Sequence, residues 1–290
     1  MKTKIGIIGK GFVGSAVEYG FSCDPTFDSQ IKIYDKKTDL STHSLEETIN
    51  ASDFIFVSVP TPSNKDGSIN LDILNNLLSE IDKKYNNGGI ILIRSTIIPG
   101  TTKILSKKFP KIKLVFNPEF LTERNANYDF INQSRVILGG PSVLTKKVSK
   151  LYTKRFGSRI SIIHSNYETA ELIKYMNNCF LATKVSFLNE MKLLADKSNA
   201  DWEIAIKGFK GDDRVGTSHN DVPGHDGMFG FGGSCFPKDV QAILYYSKEM
   251  NINLNVLKGA WETNLKVRTE KDWENMPGRA IVEDVEDVED

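Results

Sequence analysis

The segment Ile5-Gly6-Ile7-Ile8-Gly9-Lys10-Gly11-Phe12-Val13-Gly14 is the strongest indication of the fold, because a short apolar run leads directly into three closely spaced glycines. A strand, a loop of this spacing and a helix together form the turn that binds the pyrophosphate of a dinucleotide. Gly9 makes the tight turn, Gly11 lets the pyrophosphate approach the backbone, and Gly14 lets the helix pack closely on the strand. We therefore predict an NAD-dependent dehydrogenase that begins with a Rossmann-type unit.

Asp35 supports this prediction because it closes the next predicted strand, 21 residues after Gly14. A carboxylate there accepts hydrogen bonds from the adenosine ribose and repels the extra phosphate of NADP, which favours NAD, although Lys36 and Lys37 weaken that preference. The alternative is a glycine turn that binds nothing, and the order strand, loop, helix, strand and aspartate speaks against it. The predicted cofactor contacts of this segment are Gly9, Gly11, Phe12, Val13, Gly14 and Asp35.

Further short apolar runs follow at intervals that leave room for helices between them. The runs span residues 4–8, 30–34, 54–59, 90–93, 113–116, 135–138 and 159–163. Most are rich in Ile and Val and do not alternate with polar residues, which is typical of strands buried on both faces of a parallel sheet. The predicted fold class is therefore α/β, with an N-terminal Rossmann-like, doubly wound parallel sheet over residues 1–165.

The chain changes character after this unit. Residues 168–198 contain neither Gly nor Pro and carry a helical apolar stripe, so we predict one long helix that bridges the domains or forms a dimer interface. Closely spaced glycines indicate a loop over 208–233. We assign residues 166–275 to a helical central domain, and residues 276–290, which end in Val-Glu-Asp repeats, to a disordered acidic tail.

The composition argues against several classes of partner. Lys plus Arg and Asp plus Glu both total 37, so no net charge attracts nucleic acid or an anionic membrane. No apolar run approaches the roughly 20 residues of a membrane span, and the run that begins at Ile5 is too short for a signal peptide. Cys23, Cys179 and Cys235 are too few and too scattered for a disulfide framework or a zinc cluster. We expect a cytoplasmic protein that binds no metal.

Polar motifs follow three of the predicted strands. They are Val-Pro-Thr-Pro at 59–62, Ser-Thr-Ile-Ile-Pro-Gly-Thr at 95–101 and Asn-Pro-Glu-Phe-Leu-Thr-Glu at 117–123. Ligands of open α/β sheets bind at the carboxyl ends of strands, and ordinary turn chemistry is the alternative for each motif. On the long helix, Lys174 and Asn178 are one turn apart and so share a face.

The most informative segment is Gly-Phe-Gly-Gly-Ser-Cys-Phe-Pro-Lys-Asp at 230–239. Pro237 suits the first turn of a helix, which places Cys235 at or just before the helix N-terminus. The helix dipole and Lys238 favour the thiolate there, and Asp239 falls near the thiol if the turn is helical. The alternative is a small buried thiol beside a flexible loop.

These motifs, in this order, resemble the nucleotide-sugar dehydrogenases of the UDP-glucose/GDP-mannose dehydrogenase family. The resemblance runs from Lys4 to about Thr269. It rests on GKGFVG at 9–14, VPTP at 59–62, STIIPGT at 95–101, NPEFLTE at 117–123, ELIKYMNNCFLATKVSFLNE at 171–190 and GFGGSCFPKD at 230–239.

The resemblance implies a role for each matching position. The implied nucleophile is Cys235, and Lys174 and Asn178 are the implied pair that stabilises the oxyanion. Asp239 is the implied acid/base residue that works with a hydrolytic water, and Thr96 and Glu123 lie near that water. The implied further cofactor contacts are Pro60, Thr61, Thr96, Glu123 and Lys238. The implied substrate contacts are Glu119, Phe120, Leu121, Lys174, Asn178, Phe229, Gly230, Phe231, Gly232, Gly233 and Arg214, which resembles an arginine that reaches the neighbouring subunit's substrate.

The family's chemistry gives these residue types a purpose. It implies NAD-dependent oxidation of the C6 alcohol of a nucleotide sugar, and the favoured reaction is UDP-glucose to UDP-glucuronate. The resemblance also implies a role in polysaccharide biosynthesis. Two hydride transfers proceed through a thiohemiacetal and a thioester on Cys235, and water hydrolyses the thioester. The resemblance also implies a homodimer formed through the helical central domain.

The sequence departs from the family in two places. Residues 216–230 form a longer segment than the family pattern, and the chain stops about where the C-terminal, second Rossmann-like domain begins. We therefore expect that third domain to be absent, and activity of the chain alone stays open. Two alternatives remain: a one-step β-hydroxyacid or 6-phosphogluconate-type dehydrogenase, and a truncated, non-catalytic NAD-binding subunit.

Overall fold

A computed structural model of the chain describes residues 2–283, which divide into two compact units. The first unit comprises the chain up to Thr61 together with Leu71–Lys174. The second comprises Pro62–Asn70 and the chain from Tyr175 onward. The division between these compact units therefore falls inside the long helix, after Lys174.

A seven-stranded sheet forms the centre of the first unit, in the order β2-β1-β3-β4-β5-β6-β7. The strands are β1 (Thr3–Ile8), β2 (Ser29–Tyr34), β3 (Phe54–Val57), β4 (Ile90–Ile93), β5 (Lys113–Phe116), β6 (Arg135–Gly139) and β7 (Ser161–Ser165). Neighbouring strands pair in parallel except β5 and β6, which meet antiparallel at Phe116 and Gly139. The predicted α/β class is confirmed, and the sheet is mostly rather than wholly parallel.

Helices cover both faces of this sheet. They are α1 (Phe12–Ser22), α2 (Leu45–Asn50), α3 (Asp72–Lys84), α4 (Thr101–Lys108), α5 (Ala126–Ile131) and α6 (Ser142–Phe156), with 3₁₀ turns at Thr38–Leu40 and Glu123–Asn125. Successive strand residues enter two different apolar clusters, so that Ile7 packs in one and Ile8 in the other. Burial on both faces explains why the strands are continuous apolar runs.

Helices and loops make up most of the second unit. They include α7 (Tyr167–Ser198, from Tyr175 onward), α8 (Trp202–Lys210), α9 (Phe236–Glu249), α10 (Asn255–Val267) and 3₁₀ turns at Asp213–Val215 and Asp272–Asn275. The predicted long helix is present. Part of its apolar stripe faces solvent, however: Tyr175 and Ala182 are buried, whereas Met176 and Phe180 are 62% and 66% exposed.

Hydrogen bonds to β5 and to the start of α4 hold the first turns of α7 to the first unit, which explains why the division between the units falls after them. The hydroxyl of Tyr167 donates to the carbonyl oxygen of Leu114 at 2.9 Å. The carboxylate of Glu171 accepts the backbone amides of Gly100 at 2.6 Å and Thr102 at 2.7 Å. Because hydrogen bonds hold both turns to this unit, they belong to it although the helix continues beyond them.

The segment Pro62–Asn70 joins the second unit through the end of the described chain. Ser63 donates its amide to the carbonyl oxygen of Ala280 and accepts the amide of Val282, each at 2.9 Å. The predicted disordered tail begins at 276, yet residues 277 and 281 pair in a bridge. The rest of the predicted tail, residues 284–290, lies outside the described residues.

Candidate active site

The glycine loop has the turn that its sequence predicts. Gly9 has a φ of 88°, a conformation that favours glycine. A Cβ on Gly14 would lie 2.0 Å from the carbonyl oxygen of Gly9, whereas a Cβ on Gly11 would meet no atom within 4 Å. Phe12 and Val13, in the first turn of α1, are half-buried. The loop is therefore tightly packed on one side and open beside Gly11.

The start of α1 and Asp35 fit a dinucleotide. Gly11 precedes the helix and supplies no capping side chain, so the first amides of α1 are suited to an anion such as a pyrophosphate. Asp35 lies beside this loop, since its carboxylate accepts the backbone amides of Lys10 at 2.6 Å and Lys37 at 2.8 Å. Open space, uncapped amides and an adjacent carboxylate are the features that NAD binding needs.

The loops that follow β3 and β4 are joined by hydrogen bonds. Thr61 Oγ1 donates to the carbonyl oxygen of Thr96 at 2.7 Å, and Ser95 Oγ donates to that of Val59 at 2.6 Å. Thr61 is buried, Thr96 is half-buried and Pro60 is exposed. The structure therefore brings the predicted contacts of these two loops together at the carboxyl edge of the sheet, where ligands of such sheets bind.

Lys174 and Glu119 form a buried ion pair in the first unit. Lys174 Nζ lies 2.7 Å from Glu119 Oε1 and donates to the Glu119 carbonyl oxygen at 2.6 Å. Glu119 Oε2 accepts the Leu121 amide at 2.7 Å, and the Phe120 ring centroid lies 5.6 Å from Nζ. The family resemblance implies that these residues contact the substrate, but no local pattern pairs the two charges, because 55 residues separate Lys174 from Glu119.

Opposing effects act on the Glu119 carboxyl. Burial raises its pKa, because a buried carboxylate loses hydration. The charge and hydrogen bond of Lys174, the Leu121 amide and the charge of Arg94 together outweigh burial and hold the pKa below its ordinary value. Glu119 is therefore ionised at neutral pH and compensates the buried ammonium.

We expect the Glu119→Gln variant to lose stability in a pH-dependent way. A depressed folded-state pKa contributes stability above the ordinary value of 4.5, and this contribution disappears as the pH falls through the folded-state pKa. Removing one partner of a buried pair costs about 3–5 kcal/mol. Urea unfolding should therefore show a large difference from the wild type at pH 7 that shrinks below pH 4.5. A difference that is independent of pH would contradict the ion pair, and Glu80→Gln, at an exposed position of α3, is the control.

The second unit contains Cys235 together with Asp239, Asn178 and Lys238, and hydrogen bonds join the last three side chains. Cys235 precedes the first residue of α9, and Pro237 stands in the first turn, as predicted. The turn is helical, since the Asp239 amide donates to the Cys235 carbonyl oxygen at 2.9 Å. Asp239, which is 1% exposed, accepts Asn178 Nδ2 at 2.7 Å and pairs with Lys238 Nζ at 2.6 Å. A thiol at a helix N-terminus thus stands one turn before a buried carboxylate.

Cys179 is a second thiol of this unit, and its environment differs from that of Cys235. Burial raises the pKa of the Cys179 thiol, and the negative charge of Asp239 raises it further. Cys179 therefore stays protonated near neutral pH and is a poor nucleophile. The third cysteine, Cys23, is exposed on the first unit and lies 3.3 Å from Arg155 Nη2.

Two predicted substrate contacts have different surroundings from those that the sequence implies. The Phe231 side chain is buried in an apolar cluster, with its ring centroid 6.0 Å from those of Phe236 and Trp261. The ring is therefore not available to contact a ligand. Arg214 is exposed and forms an ion pair with Asp212, whose Oδ1 accepts Nε at 2.9 Å. Its charge is therefore already compensated by a near neighbour.

The predicted catalytic residues divide evenly between the units. Thr96, Glu123 and Lys174 belong to the first unit, and Asn178, Cys235 and Asp239 belong to the second. Glu123 is exposed at the start of a 3₁₀ turn. Over residues 2–283, no cluster of three His, Cys, Asp or Glu side chains is arranged to hold a metal ion. Within the same range, no helix is both long and apolar enough to cross a bilayer.

Comparison with known proteins finds one family in both units. A family model for the NAD-binding domain of the UDP-glucose/GDP-mannose dehydrogenases matches residues 22–155, and the model for the central domain of the same family matches residues 168–266. The first match begins after the glycine loop. The cofactor prediction is confirmed by the NAD-binding domain, and the two matches together cover most of the chain.

Three proteins similar to this chain are longer than it. A UDP-glucose 6-dehydrogenase of Campylobacter jejuni is 34% identical, over 77% of this chain and 56% of the relative. One of Rickettsia bellii is 31% identical, over 90% of this chain and 66% of the relative. The structure of a UDP-glucose dehydrogenase from Pyrobaculum islandicum shares the fold, with a TM-score of 0.79 and 24% identity over 92% of this chain and 68% of that one. The chain thus spans about half to two thirds of the length of these proteins.

Proposed function

Because the chain belongs to the UDP-glucose/GDP-mannose dehydrogenase family, we propose that it oxidises the C6 primary alcohol of a nucleotide sugar to a carboxylate. UDP-glucose is the substrate that the names of its relatives favour. The observation that carries the proposal is Cys235 at the N-terminus of α9, one turn before the buried Asp239. A dehydrogenase that stops at the aldehyde or ketone needs no such thiol.

The reaction is a four-electron oxidation in two steps. NAD, when bound, supplies the hydride acceptor, and two molecules are needed because each accepts two electrons. After the first step, the Cys235 thiolate adds to the aldehyde carbon and forms a C–S bond, which gives a thiohemiacetal. Loss of a second hydride leaves a thioester.

Hydrolysis of the thioester completes the reaction. Asp239 accepts a proton from the water that attacks the thioester carbon. The C–S bond breaks, and its electron pair returns to the Cys235 sulfur. Asn178, whose amide donates to Asp239, stabilises the negative oxygen of the tetrahedral intermediates, and the family resemblance implies the same role for Lys174. The overall balance is one alcohol, two NAD and one water giving one carboxylate and two NADH, with release of protons.

The experiment that tests this proposal measures NADH production by the purified chain with a panel of UDP- and GDP-sugars, and the mass of each product. We expect two NADH per molecule of carboxylate. One NADH per product would favour the one-step β-hydroxyacid type. NAD binding without turnover of any sugar would favour the non-catalytic subunit.

We also propose that the chain forms a homodimer through α7. Within the second unit, this helix exposes an apolar face whose members recur at helical spacing: Met176, Phe180, Phe187 and Leu194. Apolar side chains that line one helix face in this way are typical of a protein–protein interface. A second copy of the same face is the partner that a two-fold interface requires.

Phe180→Asp should convert the proposed dimer into a monomer, because the substitution places a charge at the centre of the apolar face. Sedimentation velocity should then report about half the mass of the wild type. Ile104→Asp, at an exposed apolar position of α4, is the matched control and should leave the mass unchanged. A wild type that is monomeric at micromolar concentration would refute the proposed dimer.

A further inference from the structure

The loop that leads to Cys235 is held by side chains from three separate elements of the second unit. We call residues 230–235 the thiol loop. Gly230 and Gly233 have φ values of 71° and 72°, so the backbone adopts at both positions a conformation that favours glycine. Three of its amides donate to side-chain oxygens: Gly230 to Asn189 Oδ1 at 3.0 Å, Phe231 to Asn264 Oδ1 at 2.7 Å and Gly233 to Asp272 Oδ2 at 2.7 Å.

Asn264 holds the middle of the thiol loop through two hydrogen bonds to the backbone of Phe231. Its Oδ1 accepts the Phe231 amide, and its Nδ2 donates to the Phe231 carbonyl oxygen at 3.0 Å. Asn264 is fully buried near the end of α10. Because both polar groups of Phe231 are satisfied, this part of the loop is anchored to the body of the unit.

The Gly233 end of the loop is held by the Asp272 carboxylate, and Arg268 holds that carboxylate in turn. Arg268, which is 4% exposed, places Nη2 2.9 Å and Nε 3.1 Å from Asp272 Oδ1. The same Nη2 lies 2.8 Å from Asp226 Oδ2. One guanidinium therefore joins the carboxylate that holds Gly233 to a carboxylate in the long segment before the loop.

The ion pair packs directly against the loop backbone. A Cβ on Gly232 would lie 2.2 Å from Asp272 Oδ1 and 2.3 Å from Arg268 Nη2. The pair thus sets the position of the backbone two and three residues before Cys235. The Arg268 side chain is 4% exposed and the Asp272 side chain 30% exposed, so the pair is partly buried, and the fixed position of its atoms is the property that acts on the loop. A shift of about 1 Å at reacting atoms costs about 10²-fold in rate.

We propose that Arg268 and Asp272 are positioning residues for the Cys235 thiol. Neither residue is proposed to touch the substrate. Asp272 fixes the Gly233 amide, and Arg268 fixes Asp272, so together they align the sulfur with the N-terminus of α9. This inference rests on the proposed function only in calling Cys235 the nucleophile.

The test compares Asp272→Ala and Arg268→Gln with Glu274→Ala. Glu274 is an exposed carboxylate in the same 3₁₀ turn as Asp272 and is the matched control. We expect both test variants to lower kcat by about 10²-fold with a smaller change in KM, because the sulfur is misplaced after the substrate has bound. The control should keep both constants. A test variant that loses thermal stability but keeps kcat would overturn the proposal.

Two measurements need no substrate and therefore separate this inference from the proposed function. Alkylation of Cys235 by iodoacetamide, located by peptide mass spectrometry, should be slower in both test variants, because the alignment that favours the thiolate is lost. Hydrogen exchange at the Gly233 amide should be slow in the wild type and fast in Asp272→Ala. If Asp272→Ala does not fold, Asp272→Asn is measured in its place. Fast wild-type exchange at Gly233, or unchanged alkylation in a folded variant, would overturn the inference whether or not any sugar is oxidised.

Discussion

Cys235→Ser is expected to stop the proposed reaction before the carboxylate, lowering its formation by about 10³-fold or more. The serine hydroxyl is a far weaker nucleophile than a thiolate, and no residue is proposed to deprotonate it. The C–S bond of the thiohemiacetal therefore cannot form, and the second oxidation has no covalent intermediate to act on. Stopped-flow measurement of NADH with mass analysis of the sugar should show at most the first oxidation step.

The other two cysteines provide the controls for this experiment. Cys23→Ser changes an exposed thiol of the first unit, and Cys179→Ala removes a thiol that burial keeps protonated. Both variants should still release two NADH per carboxylate. Full two-step turnover in Cys235→Ser would refute the covalent mechanism, even if the chain proves to oxidise a nucleotide sugar.

Gly14→Ala should disrupt the first unit, because its Cβ would lie 2.0 Å from the carbonyl oxygen of Gly9. The neighbouring atom is backbone and cannot rotate away, so the strand, the loop or α1 must shift. Overpacking of this kind costs about 1–3 kcal/mol, and more where the backbone cannot move. Urea unfolding without any ligand should show this loss, and isothermal titration should show weaker NAD binding.

Gly11→Ala is the matched substitution in the same loop. A Cβ on Gly11 would meet no protein atom within 4 Å, so the free energy of unfolding should stay within about 0.5 kcal/mol of the wild type. NAD binding should nevertheless weaken, because the methyl group occupies the space through which a pyrophosphate approaches the amides. Equal NAD affinity in Gly11→Ala and the wild type would show that the cofactor does not bind at this loop.

The fold follows closely from local sequence patterns. Buried parallel strands need continuous apolar runs, and each predicted run overlaps a strand. The ends of elements are less predictable, as the run at 54–59 shows, since β3 ends at Val57. Val59 still belongs to the apolar run but lies in a loop that the sheet does not pair, and hydrophobicity alone does not mark where pairing stops.

Contacts between distant residues are the part that the sequence could not provide. The Lys174 and Glu119 charges are 55 residues apart, and no periodicity relates them. Asp272 holds Gly233 across 39 residues, and no motif contains both. The exposed Phe180 shows a related difficulty: helical spacing identifies a common face but does not identify what covers it.

The buried pair of Lys174 and Glu119 also restricts how this chain can diverge. A substitution that removes either charge alone leaves the other uncompensated in the interior, at a cost of about 3–5 kcal/mol out of a total stability of about 5–15 kcal/mol. A lineage that loses one of these residues must therefore pass through an ancestral sequence that folds poorly, or substitute both residues within a short time. The two positions should therefore covary, and a descendant in which the lysine is replaced should carry a neutral residue in place of the glutamate.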